Sequence, residues 1–375
     1  MARLIALDMP AGSLFVETVQ RVWDSGDAVL PIDQRLPPAA QKLLLDAMAP
    51  TQVIDSHGSE SHYANSRDLE AGDALVIATS GSTGIPKGVI HTHTSLTAAA
   101  HASAARLQLN ATNHWLVCIP VSHIGGFSVI TRALHTGASL TLHASFEPMA
   151  VTHAASTTAT HTSLVATALS RIDASLFATI LLGGSSAPTH LPSNVVTTYG
   201  TTETGGGVVY NGQPLDGVEI KIVDDEIYLR CAMLMRSYRD GTSSVSDDGW
   251  YATGDLGSLN SDGLLDVFGR RTDMIITGAE NVWPAAVESA LLTHPAMSQV
   301  VVRGVTDAQW GQRVVAYVVL HDKGVLYASE SLRTELREHV KQTLPAFCAP
   351  QQIIVVNEIP RTSLGKVDIQ ALGSA

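Results

Sequence analysis

The segment Thr79-Ser-Gly-Ser-Thr-Gly-Ile-Pro-Lys-Gly88 places four hydroxyl side chains, three glycines and one lysine within ten residues. It follows the apolar run Ala74-Leu-Val-Ile-Ala78, which is typical of a buried strand. Glycines let the backbone approach a ligand, amides and hydroxyls donate hydrogen bonds, and the lysine supplies charge. The segment therefore predicts a polyphosphate site at the end of a strand. Because Pro86 precedes Lys87 and Gly88 follows it, a helix starting at the lysine, as in a P-loop, is disfavoured.

Five further motifs follow in the chain, and each combines glycine or proline with polar residues. They are Gly183-Gly-Ser-Ser-Ala-Pro188, Tyr199-Gly-Thr-Thr-Glu203, Tyr251-Ala-Thr-Gly-Asp255, Gly269-Arg-Arg-Thr-Asp-Met-Ile-Ile-Thr-Gly-Ala-Glu-Asn-Val-Trp-Pro284 and Pro360-Arg-Thr-Ser-Leu-Gly-Lys366. With the first segment, they resemble in type and order the motifs of the acyl-adenylate-forming superfamily. That superfamily includes acyl-CoA synthetases, nonribosomal peptide adenylation domains and firefly luciferase. The resemblance extends from about Leu75 to the end of the chain.

The resemblance implies a site for ATP and AMP. Tyr199 would offer a flat face to adenine, and Asp255 would accept hydrogen bonds from the ribose diol. Arg270 would hold ribose or phosphate oxygens with its planar cation. The residues implied to bind the nucleotide are Thr79, Ser80, Gly81, Ser82, Thr83, Gly84, Lys87, Gly184, Ser185, Ser186, Ala187, Tyr199, Gly200, Thr201, Asp255 and Arg270.

The resemblance also implies three catalytic residues, Lys366, Thr202 and Glu203. Glu203 offers a hard oxygen ligand for Mg²⁺, and Thr202 offers a hydroxyl to the α-phosphate. Lys366 would bridge the substrate carboxylate and the α-phosphate, because two anions must approach within bonding distance. The acid would attack ATP to give an acyl-adenylate, and CoA would then displace AMP. A channel for CoA is implied at Gly278, Ala279 and Glu280, so ATP, Mg²⁺ and CoA are the expected cofactor and co-substrates.

The span Ile119–Ala133 resembles the corresponding part of the o-succinylbenzoate–CoA ligases of menaquinone biosynthesis. The early position of Thr79 resembles the compact members of that group. Our hypothesis is that His123 and the Ser163 region line the acyl pocket, with Arg132 as the partner of a ring carboxylate. Two alternatives remain open at this stage. One is a ligase for another aryl or fatty acid, and the other is a stand-alone adenylating enzyme that loads a carrier protein.

The chain departs from the family pattern at three places. The aspartate expected at the hinge is Thr272, with Asp273 next to it, so either residue could serve as the hinge. Ala279 replaces the second glycine before Glu280, which could narrow the CoA channel. Cys231 and Ala232 stand where a glycine-rich motif is expected.

The elements around these motifs alternate between strands and helices, which predicts βαβ units and largely parallel sheets with ligands at the carboxyl ends of strands. The predicted strands are Leu75–Thr79, His114–Ile119, Ser139–His143, Ala178–Leu182 and Asn194–Thr198. Three helices are predicted in this region. The first is capped by Thr94 or Ser95 and reaches about Leu107, and the other two cover Gly126–Leu134 and Ser163–Ile172.

Beyond about Asp216 the pattern changes. Val218–Val223 and Glu226–Arg230 alternate with period two, which predicts antiparallel strands in a small barrel or sandwich. After Gly269 the sequence again predicts both strands and helices. The expected fold is therefore α/β: a large N-terminal domain (1–270) of parallel βαβ sheets plus a small antiparallel β-barrel, and a small mobile α+β C-terminal domain (271–375).

Composition narrows the range of partners. The 375-residue chain has a formal net charge of −12, which argues against nucleic acid or an anionic membrane surface as the main partner. No apolar run approaches the ~20 residues that span a bilayer, so no stable membrane insertion is expected. Three widely spaced cysteines favour a reducing compartment, and we expect a cytoplasmic protein. Homodimers are common in the family. His91, His93 and His101 are interpreted as a surface patch at a helix start rather than a metal site.

Overall fold

The computed structural model describes residues 1–79, 86–184, 190–278, 280–321, 330–360 and 367–372. The chain divides into two compact units. The first comprises Met1–Lys221, Tyr228–Thr253 and Leu259–Leu265, and the second comprises Ile222–Ile227, Gly254–Ser258 and Asp266–Ala375. In the part of the chain that is described, no helix is both long enough and apolar enough to cross a membrane.

Within these residues the α-helices have the following bounds: α1 (Ser13–Asp24), α2 (Pro38–Met48), α3 (His93–Leu107), α4 (Ile124–Thr136), α5 (Pro148–Thr157), α6 (Ala166–Leu169), α7 (Pro284–Leu292), α8 (Glu330–Lys341) and α9 (Ile369–Leu372).

The strands have these bounds: β1 (Leu4–Asp8), β2 (Ala28–Pro31), β3 (Gln52–Asp55), β4 (Glu60–His62), β5 (Asp73–Thr79), β6 (Lys87–Thr92), β7 (His114–Val117), β8 (Ser139–Leu142), β9 (His161–Leu164), β10 (Thr179–Leu182), β11 (Val195–Thr201), β12 (Gly206–Tyr210), β13 (Gln213–Pro214), β14 (Glu219–Val223), β15 (Glu226–Arg230), β16 (Ser237–Tyr238), β17 (Tyr251–Leu259), β18 (Leu265–Arg270), β19 (Ile275–Thr277), β20 (Glu280–Val282), β21 (Met297–Asp307), β22 (Gly311–Leu320) and β23 (Gln352–Val355).

The first sheet has the strand order β16-β6-β5-β2-β1-β3-β4. Its centre is parallel, from β5 through β2 and β1 to β3. At one edge, β6 and β16 run antiparallel to their neighbours. The strands β1, β2 and β5 are almost entirely buried and consist mainly of Leu, Ile, Val and Ala, as expected for parallel strands covered on both faces.

The second sheet has the order β13-β12-β11-β10-β9-β7-β8. Five of its strands are parallel and lie in the order β11-β10-β9-β7-β8. Strand β12 runs antiparallel to β11. Helix α4 packs against β7 and β9. Ile180 and Leu182 of β10 are buried in one core cluster, and each contributes about 1.5–3 kcal/mol of transfer free energy.

Four strands form a third sheet in the order β14-β15-β17-β18, where period-two sequence predicted antiparallel strands. The second unit contains a five-stranded sheet in the order β20-β19-β22-β21, with β23 paired in parallel to β22. The helices α7 and α8 pack on each other and share a core with this sheet through Val287, Leu291, Leu336 and Val340.

The mixed α/β fold and most predicted elements are confirmed, but two predictions about helices are wrong. The segment predicted as a helix from Ser163 to Ile172 begins instead as strand β9, and only α6 within it is helical. Helix α3 is not capped by Thr94 or Ser95, because Thr92 is the N-cap residue. Its hydroxyl accepts from the amide of Ser95, and the Ser95 hydroxyl accepts from the amide of Thr92.

His91 is also not a surface residue. It lies in β6 and is fully buried, so its place in the predicted surface patch is corrected. The other two members of that patch, His93 and His101, lie on α3.

Candidate active site

The parallel strands of the second sheet end in the polar loops that the sequence marks. The loop after β7 carries His123, and the loop after β10 carries Gly184. Strand β11 carries Tyr199 and Gly200 and leads directly to Glu203. Because these strands are parallel, their carboxyl ends meet at one edge of the sheet, where α/β proteins place their ligands.

The segment Thr79–Gly88, which is predicted to bind polyphosphate, begins and ends on paired strands. Thr79 is the last residue of β5, Lys87 is the first of β6, and the two are register partners. The Thr79 hydroxyl donates to the Lys87 carbonyl at 3.3 Å. Because Lys87 begins a strand and not a helix, the expectation that this is not a P-loop is confirmed.

Lys87 and Glu203 are connected through one side chain, Tyr238. The Lys87 ammonium lies 4.9 Å from the centre of the Tyr238 ring, and the Tyr238 hydroxyl donates to Glu203 Oε1 at 2.9 Å. Burial, with the nearby Glu203 carboxylate adding to it, raises the pKa of Tyr238 to about 12. The hydroxyl therefore stays protonated and remains a donor.

Glu203 lies in a short 3-10 turn, Thr202–Thr204. The amide of Thr201 donates to the Thr204 hydroxyl at 2.9 Å and fixes the start of this turn. The buried His91 side chain contacts this turn, with Nε2 2.7 Å from the Thr202 carbonyl oxygen. Burial lowers the pKa of His91 from its ordinary value. The neutral ring can therefore donate from Nε2 to that carbonyl and fix the turn.

Position 200 requires a glycine because the backbone of strand β12 lies very close to it. The register of β11 and β12 shifts between Tyr199 and Gly200. A Cβ atom at Gly200 would overlap the carbonyl group of Gly206. A side chain here would therefore displace the turn that carries Thr202 and Glu203.

In the second unit, Asp255 and Arg270 form an ion pair with Oδ1 and Nε 3.0 Å apart. Asp255 is buried, whereas Arg270 is exposed. The two residues implied to contact ribose are therefore adjacent, and the arginine orients the carboxylate.

His123, a residue of the implied acyl pocket, is held by a loop near the start of the chain. Arg35 Nη2 lies 3.3 Å from His123 Nε2, and the Asp33 carboxylate lies 3.8 Å from the same nitrogen. Asp33 also binds Arg35 through its backbone amide and its guanidinium. Burial opposes ionisation of Asp33, but the hydrogen bonds from Arg35 outweigh it and lower the pKa of the carboxyl.

Arg132 lies on α4 with its guanidinium only 4.8 Å from the centre of the Trp115 ring. Its side chain is buried at 4% exposure, and Nε donates to the Ser103 hydroxyl at 2.9 Å. Among the described residues, its Nη1 atom has no hydrogen-bond partner and the side chain has no ion pair with a carboxylate. Burial lowers the pKa of Arg132.

Ser163 lies on the same face of the second sheet as Trp115 and Arg132. His161 packs against Trp115 with ring centres 5.1 Å apart, and Ser163 follows it two residues later on β9. Side chains two residues apart in a strand point to the same face. The three implied acyl-pocket residues are therefore distributed along α4 and the sheet face it covers.

Gly278 and Glu280 of the implied CoA channel lie at the hairpin between β19 and β20. Gly278 has φ +58°, and a Cβ atom there would lie 2.8 Å from the Trp310 ring. Its amide donates to the Trp310 carbonyl at 2.9 Å. Glu280 is exposed.

Ten residues implied to bind or act on substrates lie outside the described residues. They are Ser80, Gly81, Ser82, Thr83, Gly84, Ser185, Ser186, Ala187, Ala279 and Lys366.

The sequence analysis missed four residues that contact the predicted ones: Asp33, Arg35, His91 and Tyr238. Each acts on a residue far away in the chain, so no local motif marks it. Asp33 and Arg35 follow an apolar run, and an Asp-x-Arg pair after a strand end is the only signal they give.

The donor set around Glu203 fits Mg²⁺. Magnesium prefers oxygen ligands, keeps several waters and usually takes one or two carboxylates together with substrate phosphates. Among the described residues no cluster of three or more His, Cys, Asp or Glu side chains could hold a metal. A single carboxylate, fixed through one oxygen by Tyr238, whose ring also contacts Lys87, suits a metal that arrives with a polyphosphate.

The chain is similar to known proteins in both sequence and fold. The chain matches the family model described as AMP-binding enzyme over residues 3–238, and the model described as AMP-binding enzyme C-terminal domain over residues 286–366. It is 37% identical to a protein of Mycobacterium tuberculosis named probable 2-succinylbenzoate–CoA ligase, over 98% of this chain and 97% of the relative.

Two solved structures of o-succinylbenzoate CoA synthetase from Bacillus subtilis are similar in fold. The structure in complex with the acyl-adenylate OSB-AMP has a TM-score of 0.85 at 29% identity, and the match covers 100% of this chain and 88% of that one. The structure in complex with ATP and magnesium has a TM-score of 0.82 at 28% identity, over 97% and 88% of the two chains.

Proposed function

The chain belongs to the AMP-binding enzyme family, and we propose that it is an ATP-dependent o-succinylbenzoate–CoA ligase of menaquinone biosynthesis. It is an AMP-forming acid–thiol ligase, with ATP, Mg²⁺ and CoA as cofactor and co-substrates. The observation that carries the choice of acid is Arg132, a buried cation that has no carboxylate partner among the described residues.

In the first half-reaction, a carboxylate oxygen of the acid attacks the α-phosphorus of ATP, and the bond to the β-phosphate oxygen breaks. Lys87 and the segment that begins at Thr79 hold the β- and γ-phosphates that leave as pyrophosphate. Thr202 donates its hydroxyl to the α-phosphate. Mg²⁺, when bound by Glu203, would neutralise charge on the phosphates. Lys366 brings the two reacting anions together.

In the second half-reaction, the CoA thiolate attacks the acyl carbon, and the bond to the AMP oxygen breaks. Asp255, oriented by Arg270, binds the ribose of the adenylate. The domain 271–375 rotates about Arg271–Asp273 between the two steps and replaces Lys366 with the loop that contains Gly278. We also propose a cytoplasmic location and a homodimer.

The acid lies along α4 in this proposal. His123 is the N-cap residue of α4, and Arg132 lies on the same helix. An acid that presents one carboxylate near His123 therefore needs a body and a second anionic group to reach Arg132. A keto acid with a ring carboxylate satisfies this requirement, whereas a simple aryl or fatty acid leaves the cation unpaired.

The half-reactions can be measured separately, and Lys366→Ala separates them. The variant should form acyl-adenylate about 10²–10³ times more slowly, while the conversion of supplied acyl-adenylate and CoA into thioester stays within a few-fold of wild type. Lys341→Ala is the matched control, since Lys341 pairs with Glu338 at the surface of α8. It should change neither step.

Equal loss of both half-reactions in Lys366→Ala would contradict the proposed mechanism. Adenylate formation without any CoA thioester would instead identify an enzyme that loads a carrier protein.

A further inference from the structure

We propose that Tyr238 is a positioning residue that holds the Glu203 carboxylate and the Lys87 ammonium in fixed places for the metal-bound polyphosphate. The inference deepens the proposed function and rests on it. Neither the family match nor the sequence motifs assign a role to Tyr238.

The two ends of the Tyr238 side chain perform different tasks. Its hydroxyl donates to Glu203 Oε1 at 2.9 Å and accepts from the Ser244 hydroxyl at 3.2 Å. Its ring face lies 4.9 Å from the Lys87 ammonium, where the negative face of an aromatic ring attracts a cation. One side chain thus sets the position of a metal-binding carboxylate and of a phosphate-binding cation.

Backbone hydrogen bonds of Tyr238 and its chain neighbours hold the residue in place. It lies on the two-residue strand β16, which pairs antiparallel with β6 through Ser237 opposite Ile90 and Tyr238 opposite Val89. The amide of Met235 donates to the Glu203 carbonyl at 2.7 Å. The segment 235–239 therefore contacts the turn of Glu203 and the strand of Lys87 directly.

Two arginines anchor this short strand to the rest of the first unit. Arg236 binds the buried Asp73 carboxylate through Nε and Nη2, each at 2.8 Å. The buried Arg239 guanidinium donates to the backbone carbonyls of Met48, Ala49, Arg67 and Asp68. A strand of two residues would be weak alone, and these contacts explain how it can hold Tyr238 in place.

Loss of the hydroxyl and loss of the ring should have different effects. Without the hydroxyl, Glu203 loses a fixed orientation, and outer contacts of this kind typically change metal affinity by about 10–100-fold. Without the ring, Lys87 also loses its cation–π contact, which should weaken phosphate binding by about 2–5-fold.

The test measures binding of Mn²⁺ by electron paramagnetic resonance, with and without ATP, for the full chain. Tyr238→Phe should weaken ATP-dependent Mn²⁺ binding at least about 10-fold and leave metal-free ATP binding unchanged. Tyr238→Leu should weaken Mn²⁺ binding equally and also weaken metal-free ATP binding by about 2–5-fold. Tyr228→Phe is the matched control, because Tyr228 contacts another lysine, Lys221, at 5.3 Å, and it should change neither value.

A second readout guards against misfolding. Conversion of supplied acyl-adenylate and CoA into thioester should persist in Tyr238→Phe, since that step uses no polyphosphate. Unchanged Mn²⁺ affinity in Tyr238→Phe, in a chain where Glu203→Gln abolishes it, would overturn the inference and leave the proposed function intact. If wild type shows no ATP-dependent Mn²⁺ binding, the proposed function fails, and the inference fails with it.

Discussion

Arg132 stands out at the scale of single residues because the fold keeps its charge in the interior without an acidic partner in the described part of the chain. Burying an unpaired charge opposes folding. The stacking on Trp115, the hydrogen bond to Ser103 and the contact with the Tyr210 hydroxyl offset only part of this penalty. A carboxylate brought by the substrate would complete the site.

We therefore expect Arg132→Met to affect activity and stability in opposite ways. Loss of one member of a buried charge pair usually costs 2–5 kcal/mol of binding, so kcat/KM for o-succinylbenzoate should fall at least about 30-fold. Activity with benzoate, which has no second carboxylate, should change little. The melting temperature should stay equal or rise, because the free protein no longer buries an unpaired cation.

Arg171→Met is the control for loss of a stacked arginine, since Arg171 lies over Phe146 at the surface. It should leave both acids unaffected. An equal loss of activity with both acids in Arg132→Met would show that Arg132 only supports the fold.

Much of the site could be predicted at this scale, because Thr202, Glu203 and Asp255 belong to contiguous motifs whose residue types match their chemistry. Tyr238 and Arg35 could not be predicted in the same way. Tyr238 meets Glu203 across 35 residues, and Arg35 meets His123 across 88 residues. Such contacts depend on the packing of strands that a single motif does not encode.

At the scale of elements, β9 shows how the fold overrides local sequence. The segment from His161 to Leu164 pairs in parallel with β7 and β10, and the Thr162 hydroxyl donates to the Leu116 carbonyl at 3.0 Å. The helical pattern predicted from Ser163 onward fails because burial between two strands outweighs a weak local preference. The longer helix predicted at Gly126–Leu134 is confirmed, since it lies within α4.

Helix α7 also carries a titratable contact with its sheet. Glu288 Oε1 accepts from the amide of Val302 on β21 at 2.8 Å. Burial raises the pKa of Glu288 above its ordinary value; the Val302 amide opposes the shift and the Asp273 charge adds to it. A carboxyl with a raised pKa binds its proton more tightly in the folded state. Its contribution to stability is therefore complete below the unfolded pKa and is lost as the pH rises through the folded pKa.

Glu288→Gln should therefore raise the melting temperature at pH 7.5, because glutamine is neutral and its oxygen can still accept from Val302. The gain should be smaller at pH 5.0, where more Glu288 is already protonated. Differential scanning calorimetry at both pH values measures this, with the exposed Glu358→Gln as the control. A lower melting temperature at pH 7.5 would contradict the assignment.

At the scale of the whole molecule, the order of six motifs was sufficient to predict a mixed α/β adenylate-forming enzyme, and the fold and family comparisons confirm it. The division at residue 270 and the rotation of the C-terminal domain stay predictions. The compact units interleave in sequence between residues 222 and 265, a pattern that motif order does not predict because it arises from sheet pairing.

The buried Arg132 cation predicts that this ligase selects an acid with a second carboxylate. Initial rates of CoA-dependent AMP release, measured for o-succinylbenzoate, benzoate and medium-chain fatty acids, test it directly. We expect kcat/KM for o-succinylbenzoate to exceed the others by at least about 30-fold, the smallest effect expected from a buried charge pair. Comparable kcat/KM values for all of these acids would contradict the claim.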